Sequence, residues 1–308
     1  MNVLSLLLGV MCAAGGGELF VRGTVGLAKT LRISPGVVAA TVAAFATSSP
    51  ELTVSITAAL HGTPRIALGD ALGSNVVNVA LILGSALLIG VLHAPRATIK
   101  RDFPTALVVP VATAVLFIDG ELSQMDGLLL LAIFVVWLVT VIREARRERS
   151  AIEEVLGAYP PGRALVEGTI GLGLLIAAGR LIVAGASGIA SAYSVSDFVI
   201  GATVVAVGTS VPELATTIIS RLRGHDEVGL GTILGSNIFN GLFIVGLASS
   251  ITPIRASFAE VAPALILGLA AIALSYPPRS GIIDRHRGLM LLAVYAVYFT
   301  AVLQGLSE

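Results

Sequence analysis

Two carboxylates lie in the middle of apolar sequence, Glu51 in FATSSPELTVSI and Glu213 in AVGTSVPELATT. A charge at the centre of a bilayer costs between about 3 and 10 kcal/mol or more. No Lys or Arg stands near the middle of either segment to offset that cost. These carboxylates therefore indicate an ion-binding site, and the alternative is that each is a neutral structural residue.

A proline precedes each Glu, and it removes one helical N–H group, so that the carbonyls of Ala46 and Gly208 lose their donor. Hydroxyl side chains stand three and four residues before each Glu, which places them on the same helix face. Carboxylates, hydroxyls and free carbonyls are the oxygen ligands that hard cations such as Ca²⁺ and Na⁺ prefer. The hydroxyl residues are Thr47 and Ser48 before Glu51, and Thr209 and Ser210 before Glu213.

A second pair of polar positions follows in the next apolar segment of each half. Ser74 and Asn78 are spaced i, i+4, and so are Ser236 and Asn240. A glycine precedes each of these serines and allows a neighbouring helix to approach closely. We expect other hydroxyls in these segments to bond back to their own helix; they are Thr41, Ser55, Thr203 and Thr217.

The two carboxylates belong to two copies of one repeat. At a fixed offset of 162 residues, 37–56 matches 199–218 at 11 of 20 positions, and 69–84 matches 231–246 at 8 of 16. One offset shared by two separate blocks argues against chance similarity. The motif regions 37–84 and 199–246 therefore carry equivalent candidate sites.

The composition indicates a membrane protein. Of 308 residues, 56 % are hydrophobic and 12 % charged, whereas soluble domains have about 25 % charged residues. About 20 apolar residues are enough to span a bilayer. We predict an all-α polytopic membrane protein with ten transmembrane helices, at 3–24, 36–60, 67–92, 103–118, 127–143, 163–190, 197–221, 227–251, 257–276 and 288–305.

A charged, proline-containing stretch divides these helices into two sets. We predict a five-helix repeat at 1–142, a linker at 143–162 and a second five-helix repeat at 163–308. Because each repeat has an odd number of helices, the two copies are expected to cross the membrane in opposite directions. Inverted repeats with interrupted helices are typical of secondary transporters.

The basic residues predict the orientation. Fifteen of the 19 Lys and Arg residues fall in loops on the side of the 143–162 linker, and only Arg65 and Arg255 fall in loops on the other side. Cytoplasmic loops carry an excess of Lys and Arg. We therefore expect an inner- or plasma-membrane protein with a cytoplasmic linker and both termini outside.

The motifs TSSPE with GSNVVN, and GTSVPE with GSNIFN, resemble the two alpha repeats of the calcium/cation antiporter superfamily, most closely its Na⁺/Ca²⁺ exchanger branch. The resemblance covers nearly the whole chain. It implies an antiporter that exchanges Ca²⁺ for Na⁺ by alternating access, with helices one and six as a sliding gate. It also implies twelve ligand residues: Glu51, Glu213, Asn78, Asn240, Thr47, Ser48, Ser74, Thr209, Ser210, Ser236, and the carbonyl oxygens of Ala44 and Ala206.

The sequence departs from some exchangers of this branch, which have an Asp where Asn240 stands here. Two Glu side chains neutralise one Ca²⁺ or two Na⁺. A third Na⁺ would leave an excess positive charge, which is costly in a low dielectric. The departure therefore argues against the exchange of three Na⁺ for one Ca²⁺.

Three alternative functions use the same residues. A cation/proton exchanger would carry H⁺ on the two Glu side chains. An intramembrane serine hydrolase would need a base beside Ser48 or Ser210, and no His lies in the core of a predicted helix. A non-transporting cation sensor would not need two copies of the site.

Apart from Ca²⁺, Na⁺ and, in the first alternative, H⁺, we expect the lipid bilayer to be the main partner. A chain with 19 basic and 19 acidic residues has no net charge to attract nucleic acid. We expect no enzyme activity and no cofactor, and a protein that functions as a monomer.

Overall fold

The structure, a computed structural model, describes residues 2–62, 64–148, 159–192 and 206–304. Helices make up most of the described chain. Before the linker they are α1 (Asn2–Leu31), α2 (Pro35–Val38), π1 (a π-helix, Ala39–Ala43), α3 (Ala44–Thr47), α4 (Ser49–Leu60), α5 (Pro64–Val76), π2 (Val77–Leu83), α6 (Gly84–Ile89), α7 (Arg96–Lys100), α8 (Asp102–Leu116) and α9 (Gln124–Glu148).

After the linker the described helices follow a similar order. They are α10 (Pro161–Ala192), α11 (Ala206–Thr209), α12 (Val211–Leu222), α13 (Asp226–Ile238), π3 (Phe239–Ile244), α14 (Val245–Ile251), α15 (Phe258–Ser275) and α16 (Arg285–Gln304). Four short strands join the loops in two antiparallel pairs, β1 (Leu92–His93) with β4 (Ile282–Ile283), and β2 (Glu121–Leu122) with β3 (Ile254–Arg255).

The offset of the sequence repeat recurs in the backbone. α4 and α12 begin 162 residues apart and end 162 residues apart, and so do α5 and α13. Gly62 and Gly224, in the turns after α4 and α12, both have φ of +74°. Only glycine adopts that left-handed conformation without strain. The two motif regions therefore share their helix boundaries as well as their residues.

Judged by length and hydropathy, five helices in the described part of the chain are able to span a membrane. They are Pro64–Ile89, Gln124–Arg147, Pro161–Ile182, Asp226–Ile251 and Phe258–Ser275. A sixth span would come from Leu7–Leu31 and Pro35–Thr47 together, which are bent by 116°. The structure thus shows a mainly helical membrane protein, while the number ten and the inverted arrangement of two five-helix repeats stay predictions.

The chain forms two compact units, and each draws on both predicted repeats. Unit 1 comprises Met1–Thr47 and Ala145–Thr232. Unit 2 comprises Ser48–Glu144 and Ile233–Glu308. Four candidate ligands of the first copy consequently belong to unit 2: Ser48, Glu51, Ser74 and Asn78.

In unit 1, α1 and α10 pack along small residues. A Cβ added at Gly23 would lie 2.4 Å from the backbone N of Gly168, and one added at Gly171 would lie 2.4 Å from the backbone N of Phe20. Phe20 also packs with Ala43 and Leu175 in a buried cluster. Glycine is therefore required where these two helix backbones meet, as in closely packed membrane helices.

In unit 2, a charged network holds the start of α8 against α9. Asp102 is fully buried and accepts hydrogen bonds from Arg101 Nε at 2.8 Å and from Trp137 Nε1 at 3.2 Å. Arg101 Nη1 also donates to Glu144 at 2.5 Å. Burying a carboxylate is tolerable here because charged and neutral donors surround it.

The α1–α10 packing yields a matched pair of substitutions. Gly171→Ala places a methyl group against the Phe20 backbone, which cannot move aside, so we expect a loss of about 1–3 kcal/mol in stability. Gly173→Ala, on the same helix, meets nothing within 4 Å and should have little effect. Thermal unfolding of the purified protein in detergent measures both. Equal unfolding temperatures for the two variants would contradict the close packing at Gly171.

Candidate cation site

Both carboxylates lie in the first turn of a helix, directly after an interruption. Ser48 (φ −85°, ψ 10°) separates α3 from α4, and Ser210 (φ −85°, ψ 8°) separates α11 from α12. A proline lies in the first turn of each following helix. Proline is common at this position because an N–H group there would have no partner within the helix. The sequence predicted one helix over 36–60 and one over 197–221, and the structure breaks them at Ser48 and Ser210. At a helix start, the helix dipole also stabilises a negative charge on Glu51 or Glu213.

Nearly all candidate ligand residues are buried. Glu51 and Glu213 are only 2 % and 1 % exposed. Thr209 is half-buried, and the side-chain environment of Ala206 lies outside the described part of the structure. The other buried candidates are Ala44, Thr47, Ser48, Ser74, Asn78, Ser210, Ser236 and Asn240.

The structure divides the twelve candidates equally between the two units. In unit 2, α4 packs against α5 and π3, and α5 packs against π3. These contacts bring together the elements that carry Glu51, Ser74 and Asn240. Unit 2 holds Ser48, Glu51, Ser74, Asn78, Ser236 and Asn240, and unit 1 holds Ala44, Thr47, Ala206, Thr209, Ser210 and Glu213.

A pair of asparagines joins the two copies of the motif inside unit 2. Asn75 Nδ2 donates to the carbonyl of Asn237, and Asn237 Nδ2 donates to the carbonyl of Asn75, each at 3.1 Å. The two residues are 162 positions apart, so the contact pairs equivalent residues reciprocally. Such self-complementary contacts are what a local two-fold relation produces.

Asn237 also makes a contact that fixes a candidate ligand. Asn78 Nδ2 donates to Asn237 Oδ1 at 3.1 Å. Because the amide nitrogen of Asn78 is held in this way, its Oδ1 atom is directed away from Asn237. Asn237 is therefore a positioning residue for Asn78.

Several buried oxygens in unit 2 have no hydrogen-bond partner within the described residues. Leaving a buried polar atom unsatisfied costs about 1–3 kcal/mol, so such atoms need an explanation, and an absent ion is one. Hard cations prefer oxygen ligands of this kind. The atoms are Ser74 Oγ, Asn75 Oδ1, Asn78 Oδ1 and Asn240 Oδ1.

Unit 1 has a corresponding group around Glu213. Ser210 Oγ, Thr216 Oγ1 and Thr217 Oγ1 are buried without a hydrogen-bond partner in the described ranges. Thr47 donates to the carbonyl of Ala44 at 3.3 Å, which leaves that carbonyl one further lone pair for a ligand. Polar oxygens thus occur beside both motif carboxylates.

The carbonyl of Gly208 lies against α10. A Cβ added at Gly179 would approach it to 2.8 Å. Pro212 deprives this carbonyl of its helical donor. Helix α10, which the family resemblance assigns to the gate, is therefore in contact with the interruption that precedes Glu213.

Sequence reasoning missed Asn75, Asn237 and Thr216, and it expected Ser55 and Thr217 to bond back to their helix. Thr41 does so, donating to the Val37 carbonyl at 2.7 Å. Ser55 and Thr217 make no such hydrogen bond among the described residues. The signal for Asn75 and Asn237 was available, because GSN is repeated without change at 73–75 and 235–237.

No group of three or more His, Cys, Asp or Glu side chains that could hold a metal ion occurs in the described part of the chain. A site built from one carboxylate per copy must draw its remaining ligands from hydroxyls, amides and carbonyls. Such neutral oxygens suit Ca²⁺ and Na⁺ better than softer transition metals.

The chain is similar to a known protein family over most of its length. The family model described as sodium/calcium exchanger protein matches residues 1–143 and 165–304. The putative antiporter CaxA of Alkalimonas amylolytica is 35 % identical, over 95 % of this chain and 96 % of that protein. The inner membrane protein YrbG of Escherichia coli is also 35 % identical, over 80 % of this chain and 79 % of its own length.

A solved structure shows the same fold. The sodium-calcium exchanger NCX_Mj, soaked with Na⁺ and Sr²⁺, superposes with a TM-score of 0.84 at 30 % identity. The superposition covers 97 % of each chain.

The asparagine contacts predict unequal effects on stability. Asn237→Ala removes two side-chain hydrogen bonds, whereas Asn75→Ala removes one. With about 1–3 kcal/mol for each buried group left unsatisfied, we expect Asn237→Ala to lower the unfolding temperature more than Asn75→Ala does. Thermal unfolding in detergent checks the order, and Thr53→Ala, on the exposed side of α4, is the control. A larger effect from Asn75→Ala would contradict the observed contacts.

Proposed function

Because this chain belongs to the sodium/calcium exchanger family, whose members are membrane transporters and not enzymes, we propose that it exchanges Ca²⁺ for Na⁺ by alternating access. Ca²⁺ and Na⁺ are then substrates, and the proposal requires no cofactor. The observation that carries it is the burial of Glu51 and Glu213 at equivalent helix interruptions. Two such carboxylates are costly in an apolar environment unless they bind a cation.

The proposed ligands are the twelve residues implied by the family motifs. Glu51 and Glu213 would supply the negative charge that offsets dehydration of the ion. Buried oxygens without hydrogen-bond partners in the described residues, on Ser74, Asn78, Asn240 and Ser210, support their assignment. The remaining ligands would be Thr47, Ser48, Thr209, Ser236 and the carbonyls of Ala44 and Ala206.

The proposed topology is ten helices in two inverted five-helix repeats, with the linker in the cytoplasm and both termini outside. The common offset of helix boundaries and the reciprocal contact between Asn75 and Asn237 support a two-fold relation between the motif copies. The unequal distribution of Lys and Arg supports the orientation. Helices α1 and α10 are the proposed gate, and their glycine contacts allow the backbones to slide without interlocking side chains.

Replacing either glutamate tests the proposal directly. Glu51→Gln and Glu213→Gln keep the side-chain shape but remove the charge that would bind Ca²⁺, so each should abolish Ca²⁺ flux. If two charge-assisted contacts are lost, the flux should fall by at least about 100-fold. The measurement is ⁴⁵Ca²⁺ uptake into proteoliposomes loaded with Na⁺ and, for comparison, with K⁺.

Glu121→Gln is the matched control, since Glu121 pairs with Arg255 in a loop. Normal Ca²⁺ uptake by either motif variant would show that its Glu is not a ligand. If Ca²⁺ uptake by the wild type depended on a pH gradient and did not depend on the Na⁺ gradient, the proton-coupled alternative would be established instead.

The number of carboxylates predicts the charge moved per cycle. With two Glu side chains, one Ca²⁺ or two Na⁺ leave the site neutral, so the exchange should depend only weakly on membrane potential. Asn240→Asp adds a third carboxylate and should make Na⁺-driven Ca²⁺ flux more steeply voltage-dependent. Flux in proteoliposomes clamped with K⁺ and valinomycin measures this.

The prediction requires the new Asp to be ionised, so the assay should be repeated at alkaline pH, which favours ionisation of a carboxyl group near other carboxylates. Gln124→Glu, which adds an acid at an exposed position at the start of α9, is the control. Strong voltage dependence of the wild-type protein would contradict the charge argument, since a third Na⁺ would then bind without a third carboxylate.

A further inference from the structure

Unit 1 contains a charged cavity whose lining includes none of the twelve candidate ligands. Its volume is about 350 Å³, and it is lined by residues from α1, from the start of α10 and from the turn after α12. Three arginines line it, Arg22, Arg163 and Arg223. Among the described residues that line it, the one carboxylate is Glu18.

Each arginine is anchored through its Nε atom. Arg22 Nε and Arg223 Nε lie 2.6 and 2.7 Å from the two carboxylate oxygens of Glu18. Arg163 Nε lies 2.9 Å from Glu167. The four Nη–H donors of each guanidinium have no acceptor in the hydrogen bonds of the described residues. The arginines are therefore held in place while most of their donors stay available.

Tyr159 helps to hold the Arg163 side chain at the start of α10. Its ring lies under the Arg163 guanidinium at 5.7 Å, and its hydroxyl donates to Glu167. That hydrogen bond raises the pKa of Tyr159, so the hydroxyl stays protonated and continues to donate to Glu167. The Arg163 side chain is thus fixed by an ion pair and by an aromatic ring.

The lining of the cavity has more arginines than carboxylates. It carries three arginines and Glu18, while Glu167 pairs with Arg163, and Glu227 with His225, from outside the lining. The N-terminus of α10, a helix of 32 residues that begins at Pro161, adds a partial positive charge beside Arg163. Arginine guanidinium groups bind phosphate with paired, charge-assisted hydrogen bonds, and a helix N-terminus also favours phosphate.

We propose that this cavity binds one phosphate group, and that its natural source is the headgroup of an anionic phospholipid. A phosphodiester carries one negative charge, which the arginines of the lining are suited to bind. Leu165 and Val166, next to Arg163, are 68 % and 56 % exposed and provide an apolar surface for acyl chains. Basic pockets between membrane helices are known to hold lipid headgroups in this way.

Native mass spectrometry of the full-length, delipidated protein tests the proposal. The probes are phosphatidylglycerol, phosphatidylcholine of the same chain length, and inorganic phosphate. We expect phosphatidylglycerol to bind at least about tenfold more tightly than phosphatidylcholine, which has the same phosphodiester but a compensating choline. Arg22→Gln and Arg163→Gln should each reduce that affinity about tenfold, and both side chains are more than half exposed, so folding should tolerate the change.

Arg279→Gln is the matched control, because Arg279 is an exposed arginine of unit 2. Binding of inorganic phosphate that depends on Arg22 and Arg163, without preference for the anionic lipid, would support the phosphate site and assign it a soluble ligand. Equal affinity for both lipids together with no phosphate binding would overturn the proposal. Equal effects of the three arginine variants would overturn it as well.

Discussion

The cost of polar groups in an apolar interior is the constraint on which this structure depends. A chain with 56 % hydrophobic residues buries two glutamates and a set of amide and hydroxyl oxygens. Several of those oxygens, such as Asn240 Oδ1, lack a hydrogen-bond partner among the described residues. Protein interiors rarely tolerate such atoms, so their presence in both motif copies supports the proposed ion site.

The helix interruptions follow from the same constraint. A continuous helix satisfies its own carbonyls and leaves none for an ion. Pro50 and Pro212 each remove one helical N–H donor from their copy of the motif. The carboxylate lies in the first turn of the helix that begins there. The π-helical segments that contain Asn78 and Asn240 disturb the regular hydrogen bonding again one helix later. Backbone irregularity is thus concentrated where oxygen ligands are needed.

The sequence predicted the features that depend on residue type and local spacing. Proline before glutamate predicted a local loss of helical hydrogen bonding, close to where α4 and α12 begin. The offset of 162 predicted two equivalent motif regions, and the boundaries of α4 and α12 share that offset. The Asn75–Asn237 contact could not be predicted, because it depends on how two distant segments pack. The same is true of Ser55 and Thr217, whose expected bonds to their own helices are not formed in the described residues. Number of spans, orientation and ligand set remain predictions from pattern and family.

The two motif copies are equivalent in sequence but not in their side-chain contacts. Asn78 donates to Asn237 Oδ1 at 3.1 Å, whereas Asn75 Oδ1, the atom equivalent to that acceptor, has no hydrogen-bond partner among the described residues. In an inverted-repeat transporter, alternating access moves one repeat or bundle relative to another around a fixed site. Equivalent residues then need not have equivalent surroundings in any one state. If the chain works by the proposed alternating access, the unequal contacts of Asn78 and Asn240 belong to one conformation, and an exchange of arrangements between the copies would give Asn240 the contact that Asn78 has here.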